Sequence, residues 1–169
     1  EKGLNIALSG TASVNHFIKD ILLTDTARFL KLAYLGVMVF LILVFRRVTG
    51  VIAPILIVTL SLISTLSLMA ITGVPFKIPT EILPSFILAV GVGYSVHILA
   101  LFYNRLKKGA TREDAIAYAT GHSGLAVVLT GVTTSAGLFS FSGSEVAPIA
   151  ELGLFGGAGV FFAMIYTFT

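Results

Sequence analysis

The sequence predicts an all-α membrane protein, a bundle of five transmembrane helices, and two observations lead to this fold class. Only 11% of the 169 residues are charged and the mean hydropathy is +1.00, whereas a soluble domain carries about 25% charged residues. Apolar runs long enough to cross a bilayer also occur five times, with glycine, proline or basic residues between them. We therefore expect a multi-pass membrane protein.

The five apolar runs predict five membrane spans. A hydrocarbon core about 30 Å thick requires about 20 helical residues at a rise of about 1.5 Å each. Arg46 and Arg47 follow the first run, Gly50 precedes the second run and Pro75 follows it. Arginine is typical of the membrane interface, and glycine and proline are typical of turns. The predicted spans are Leu30–Phe45, Val51–Thr72, Leu83–Tyr103, Leu125–Phe141 and Ile149–Thr169.

Residues 1–28 are predicted to precede the membrane as the end of an extracytoplasmic domain. Leu4–Thr11 alternates loosely between apolar and polar residues, as in an edge strand, and Asn15–Leu30 reads as an amphipathic lead-in helix. Residues 29–169 then form the transmembrane unit. The polar start without methionine and the final apolar run both look cut, so we expect a piece of a longer chain.

Residues 104–124 are predicted to connect the third and fourth spans on the cytoplasmic side. The sequence Thr111-Arg-Glu-Asp114 resembles a capping box, and Ala115, Ile116 and Ala119 alternate with polar residues. We expect a short helix lying at the membrane interface there.

Lysine and arginine predict the orientation, because loops on the cytoplasmic side carry an excess of them. Six of these residues fall on one side of the predicted spans, whereas the short loops of the other side hold only Lys77. The first side, called the basic end below, is therefore expected to be cytoplasmic, with the N-terminus outside. The basic end holds Arg46, Arg47, Arg105, Lys107, Lys108 and Arg112.

Several functional classes are excluded by composition and spacing. The chain has no cysteine, which removes disulfides, thiolate metal sites and cysteine nucleophiles. Catalytic triads, paired carboxylates and metal-ligand clusters do not occur at usable spacing, so we predict neither an enzyme nor a bound cofactor or metal. The basic residues cluster mainly where the positive-inside rule requires them, so we expect no nucleic-acid partner.

Three polar residues near the middle of the third span are the first functional candidates. Tyr94 lies close to the predicted bilayer centre, His97 is three residues further on the same helix face, and Ser95 and Gly91 are near. Ionisable groups inside spans are functional candidates by default, so one hypothesis is a proton relay or transport path through His97. The other is a neutral histidine bonded within the packed bundle. In both cases we expect this face to point toward neighbouring helices, because unpaired polar groups are costly in lipid.

Small and hydroxyl-bearing residues on two spans are the second candidates, either for helix packing or for a polar lining. Packing is favoured, because small residues let helix backbones approach closely. Gly153 and Gly157 on the fifth span have GxxxG spacing and receive the same interpretation. The candidates of this class in the third and fourth spans are Gly91, Gly93, Thr130, Thr133, Thr134 and Ser135.

An ordered series of motifs runs through the chain. The motifs are Gly91-Val-Gly-Tyr-Ser-Val-His97, Tyr103-Asn-Arg-Leu-Lys-Lys-Gly109, Thr111-Arg-Glu-Asp-Ala115, His122-Ser-Gly124, Leu129-Thr-Gly-Val-Thr-Thr134 and Pro148-Ile-Ala-Glu-Leu-Gly153. This series, with its five spans, resembles helices two to six of one half of a resistance-nodulation-division (RND) exporter of the MMPL-like branch. The same five-helix unit is the sterol-sensing domain of eukaryotic relatives.

The resemblance implies a proton-motive-force-driven transporter of hydrophobic or lipid-like substrates in the bacterial inner membrane. It further implies a second RND half in the same polypeptide, related as a parallel repeat, with membrane lipids and a homo-oligomer as further partners. The alternatives are a sterol- or lipid-sensing module that does not pump, and a module for envelope assembly.

The chain departs from the family pattern at its centre. Many members carry an aspartate in the third-span motif, which would align with Gly93 or Tyr94, and this chain has neither acid. Three interpretations follow: Tyr94 and His97 take part in proton transfer, the other half carries the titrating group, or this half is structural.

Overall fold

The computed structural model describes the backbone of residues 11–77 and 79–169 and the side chains from residue 24 onward, apart from residue 78. Within these ranges the chain is helical and contains no strand. Of the expected edge strand Leu4–Thr11, all but the last residue lie outside the described residues, and Thr11 begins a helix. Five helices are long and apolar enough to cross a membrane, which confirms the predicted fold class. They are α1 (Thr11–Phe45), α2 (Thr49–Ile71), α3 (Leu83–Lys107), α4 (Arg112–Ser140) and α5 (Ala147–Thr167).

Helix α4 extends well beyond the predicted fourth span, because it begins in the connector. Thr111 caps it by accepting a hydrogen bond of 3.2 Å from the backbone N–H of Asp114, as the sequence suggested. The expected separate interfacial helix is wrong: residues 112–124 are the first turns of α4. Ala115 and Ala119 are fully buried, so these turns pack against the protein and continue straight into the span.

Helix α1 is likewise continuous from Thr11 to Phe45. The lead-in helix and the first span are therefore one helix of 35 residues, of which residues 24–45 are apolar enough to span. A single tight corner joins α1 to α2, where Arg46 has the left-handed φ of 49°. This backbone region is unfavourable for residues with a Cβ, and here it allows α2 to begin only three residues after Arg46.

Helix α5 lies at the centre of the bundle and packs against α2, α3 and α4, whereas α1 lies at the edge against α2 and α3. The glycines of α5 permit this position. A Cβ on Gly159 would lie 2.4 Å from Ile87 Cδ1 on α3 and 2.9 Å from Thr65 Oγ1 on α2, so only glycine lets these three helices meet so closely.

The main apolar core is built where α1, α2, α3 and α5 meet. Close packing of such a core is what holds helices together in lipid, since lipid tails are as apolar as the side chains themselves. Its buried members are Leu41, Val58, Leu62, Met69, Leu83, Ile87, Leu88, Val92 and Phe155.

Polar contacts tie the bundle together at the end opposite the basic end. Lys77 Nζ lies 2.6 Å from Glu151 Oε1, which links the segment before α3 to the first turns of α5. Thr26 Oγ1 donates a hydrogen bond of 2.6 Å to Glu81 Oε1 and links α1 to the same segment. The carboxylates of Glu151 and Glu81 thus both bind residues of this five-helix unit.

Candidate functional site

A groove of about 300 Å³ runs between α3 and α4 in the middle of the bundle. It contains two of the three residues proposed for the relay and two of the threonines proposed for the lining. The residues that line it recur at intervals of three and four along both helices, so each helix contributes one continuous stripe of side chains. The groove, called the α3–α4 groove below, is lined by Ala89, Val90, Gly93, Tyr94, His97, Ser123, Ala126, Val127, Thr130 and Thr134.

Tyr94 forms the buried wall of the α3–α4 groove. Its side chain is only 6% exposed and packs with Val127 of α4 and Val160 of α5. The Thr134 hydroxyl is close enough to interact with that of Tyr94, but the buried Tyr94 hydroxyl has no hydrogen bond of good geometry to any described residue. A buried phenol without a partner is energetically unfavourable, so this position favours an interaction with a group that enters the groove.

His97 lies on the open side of the groove and is exposed on the surface of the five-helix unit. The expectation that it points toward neighbouring helices of this unit is therefore wrong. Helix α3 packs against α2 and α5 through residues such as Ile87, Gly91 and Ser95, and Gly93 and His97 lie on the stripe that these contacts leave uncovered. Nothing lies within 4 Å of a Cβ built on Gly93, about one helical turn before His97. The groove is therefore open beside Gly93 and beside His97.

Ser95 and Gly91 do not belong to this groove. The Ser95 hydroxyl is buried and donates a hydrogen bond of 2.8 Å to the carbonyl oxygen of Gly91. Ser95 also lines a second cavity, of about 480 Å³, between α2, α3 and α5. A Cβ on Gly91 would lie 2.9 Å from Val58 Cγ2, so Gly91 serves helix packing. The structure thus separates Ser95 from Tyr94 and His97.

The hydroxyl residues of α4 are also divided. Thr130 and Thr134 line the α3–α4 groove. Thr133 is exposed on another face and donates a hydrogen bond of 2.7 Å to the carbonyl of Leu129. Ser135 is buried, and its hydroxyl has no partner among the described residues. Only two of the four thus fit the idea of a polar lining.

Tyr166 was missed as a candidate. It lines the second cavity, and its hydroxyl shares a hydrogen bond of 2.8 Å with Ser64 of α2. It lies in the last turn of α5, where a tyrosine usually indicates only the membrane interface. Its spacing gives no signal that it borders a cavity.

The chemistry available in the α3–α4 groove is that of one imidazole, one phenol and neutral hydroxyls. No carboxylate lines it, and the described residues contain no group of acids and histidines able to hold a metal. Histidine is the side chain that titrates near neutral pH. The groove therefore offers hydrogen-bond donors and acceptors from an imidazole and from hydroxyl groups.

Comparison with known proteins agrees with this architecture. The sequence profile of the MMPL family matches residues 1–169. The chain is also similar to MJ1562 of Methanocaldococcus jannaschii, which is named as a membrane protein, with 25% identity over 167 residues. That alignment covers 99% of this chain and 43% of MJ1562, so the chain spans less than half of this relative. No solved structure matches the chain.

Proposed function

The chain belongs to the MMPL family, and from this membership we propose that it is the transmembrane part of a proton-motive-force-driven exporter of hydrophobic or lipid-like substrates. The chain is an integral, multi-pass membrane protein, and its family is one of transporters and not of enzymes. The proton coupling, the substrate class, the outward orientation of the N-terminus and the location in a bacterial inner membrane are proposals.

The observation that supports this function best is the position of His97 in the α3–α4 groove. A charged side chain at mid-membrane costs on the order of 3 kcal/mol or more in contact with lipid. His97 nevertheless lies on an open surface about ten residues from the basic end of α3. Beside it lie a tyrosine with an unpaired hydroxyl and a half-buried threonine. We propose that Tyr94, His97 and Thr134 together move or hold the coupling proton, and that Ser95 does not take part.

A second membrane half of the same polypeptide would cover this groove in the complete protein. We infer this because an exposed imidazole at membrane depth requires protein or water beside it. The uncovered stripe of α3 has no partner among the described helices. A homo-oligomer could supply the same cover, and the remaining lipid-facing surface would contact membrane lipids.

We expect a cysteine introduced as His97→Cys to be labelled weakly in the complete protein by a photoactivated carbene probe dissolved in the lipid, which does not require the thiolate that a maleimide needs. Leu35→Cys is the matched control, because Leu35 is exposed on α1 at a similar depth, also about ten residues from the basic end of its helix. Equal labelling rates at the two positions would show that no second half covers the groove.

The alternative is a lipid- or sterol-sensing module, or an envelope-assembly module, that does not pump. Two observations favour the sensing version. The α3–α4 groove has no carboxylate. The second cavity, between α2, α3 and α5, is larger, and six of its ten lining residues have apolar side chains. Such a cavity can hold a hydrocarbon group without any proton transfer.

Transport in vesicles distinguishes these functions. The complete protein would be reconstituted with a fluorescent lipid-like amphiphile under an imposed pH gradient. We expect movement of the amphiphile that stops when a protonophore collapses the gradient. Binding without gradient-dependent movement would instead support the sensing module, and movement that survives the collapse would refute proton coupling.

A further inference from the structure

A third cavity, with a polar lining, lies at the basic end between the ends of α1 and α3. It has a volume of about 320 Å³. Arg47, in the corner between α1 and α2, and Lys107, in the last turn of α3, line it together with Asn104. Tyr103 completes it from within the bundle. We call this cavity the corner pocket.

The corner pocket has a rigid base. Tyr103 is buried, and its hydroxyl shares a hydrogen bond of 2.6 Å with Thr49 Oγ1 in the first turn of α2. Its ring lies 5.5 Å from the ring of Phe45. The guanidinium carbon of Arg47 lies 5.5 Å from the centre of the same ring, within the range of a cation–π interaction. The Tyr103 ring thus helps to hold the Arg47 side chain at the rim of the pocket.

The corner pocket carries an unbalanced positive charge. No carboxylate lines it, and neither cation forms an ion pair with any residue that the structure describes. The C-terminal ends of α1 and α3 contribute partial negative charges of about half an elementary charge each, and the start of α2 contributes a positive one. These helix ends cannot neutralise two full cations. A ligand with negative charge would.

We propose that the corner pocket binds the phosphate headgroup of an anionic phospholipid. Arg47 and Lys107 would pair with the phosphate, because guanidinium and ammonium groups are the usual phosphate donors in proteins. The exposed amide of Asn104 would bond to a neighbouring oxygen of the headgroup. The positive-inside rule explains why basic residues occur at this end, but it does not require two of them to line one pocket together with an amide and an aromatic base.

A lipid fits this pocket better than a free anion, because its wall continues into the membrane. Val44 and Ala100 line the same pocket, and each lies in a helix that is apolar enough to span the membrane. Leu43 and Phe40, one and four residues before Val44 on α1, are also exposed. A headgroup between Arg47 and Lys107 would leave its acyl chains along this apolar surface. Anionic lipids are also attracted to basic segments at the cytoplasmic face of membranes. This inference is independent of whether the protein pumps.

The amount of phospholipid that stays bound to the purified protein tests this proposal directly. The complete protein would be purified from membranes of phosphatidylcholine with added phosphatidylglycerol, and bound lipid would be counted by native mass spectrometry. The double variant Arg47→Ala with Lys107→Ala should reduce the binding constant for phosphatidylglycerol about tenfold or more. The charge-preserving pair Arg47→Lys with Lys107→Arg should retain most of the binding.

The matched control removes the same charge outside the pocket. Lys108→Ala with Arg112→Ala lies at the basic end, and neither residue lines the pocket. An equal loss of phosphatidylglycerol in this control would overturn the proposal in favour of general surface charge. In a further arm, excess inorganic phosphate competes with the lipid. Complete displacement by phosphate at concentrations comparable to those of the lipid would show a site for a soluble anion and would also overturn it.

Discussion

Replacing His97 with alanine in the complete protein should lower export driven by a pH gradient by about tenfold or more, equivalent to about 1.4 kcal/mol in the barrier. The reason is that His97 is the imidazole that lines the α3–α4 groove, and its loss leaves only hydroxyl groups there as polar side chains. His97 is exposed and belongs to neither apolar core of the bundle. The folded protein should therefore accumulate at the normal level. The measurement is the initial rate of amphiphile movement in reconstituted vesicles.

Tyr94→Phe tests the same groove by a smaller change. The hydroxyl that it removes has no hydrogen bond to a described residue, so the substitution should not destabilise the bundle, yet it should lower coupled export if the phenol takes part. His122→Ala is the matched control for His97→Ala. His122 stacks on Tyr118 in the early turns of α4 and does not line the groove. Export at the unaltered rate in both His97→Ala and Tyr94→Phe, with equal protein in the vesicles, would show that neither side chain takes part in coupled export.

Gly153→Ala should destabilise the bundle by about 1–3 kcal/mol, the usual cost of overpacking a tight contact. A Cβ at position 153 would lie 2.6 Å from the carbonyl oxygen of Leu138 and 3.1 Å from the carbonyl carbon of Phe141. These are backbone atoms, which cannot rotate away as a side chain could. Helix α5 would have to separate from the end of α4. The shift would appear in the unfolding midpoint of the purified protein titrated with sodium dodecyl sulfate.

Gly137→Ala on α4 is the control for Gly153→Ala. No atom lies within 4 Å of a Cβ built there, and alanine is the better helix former by up to about 1 kcal/mol. We expect a midpoint that is unchanged or higher. If the two variants unfold at the same point, the close approach of α5 to α4 is not important for stability.

The fold could be predicted because the bilayer imposes a simple rule. Backbone polar groups in hydrocarbon must be paired within each segment, so a long apolar run such as Val51–Thr72 has little choice but a helix. The ends of the helices were harder to predict. Residues 104–124 were predicted as a connector before the fourth span, but α4 begins at Arg112 and continues into that span. Ala115 and Ala119 are fully buried, so the first turns of α4 are packed against other helices. Such contacts cannot be read from the local sequence.

The candidate site was only partly predictable, for a geometric reason. Helical spacing correctly placed Tyr94 and His97 on adjoining positions of one stripe. Spacing does not indicate which way the stripe faces, and the neighbouring helices here cover Tyr94 while they leave His97 open. Ser95 is adjacent in sequence to Tyr94, but one residue is a rotation of about 100° on a helix. This rotation takes the Ser95 side chain into a different cavity.

The central position of α5 bears on how the protein is made. Helices enter the membrane in the order of their synthesis, and the earlier domains of a chain generally fold first. Until α5 arrives, the spans α2, α3 and α4 can pack α2 against α3 and α3 against α4, but the surfaces that face α5 stay uncovered. During this interval the incomplete bundle is exposed to quality-control proteases. Substitutions along α5 should consequently reduce the amount of protein in the cell before they alter what each surviving molecule does.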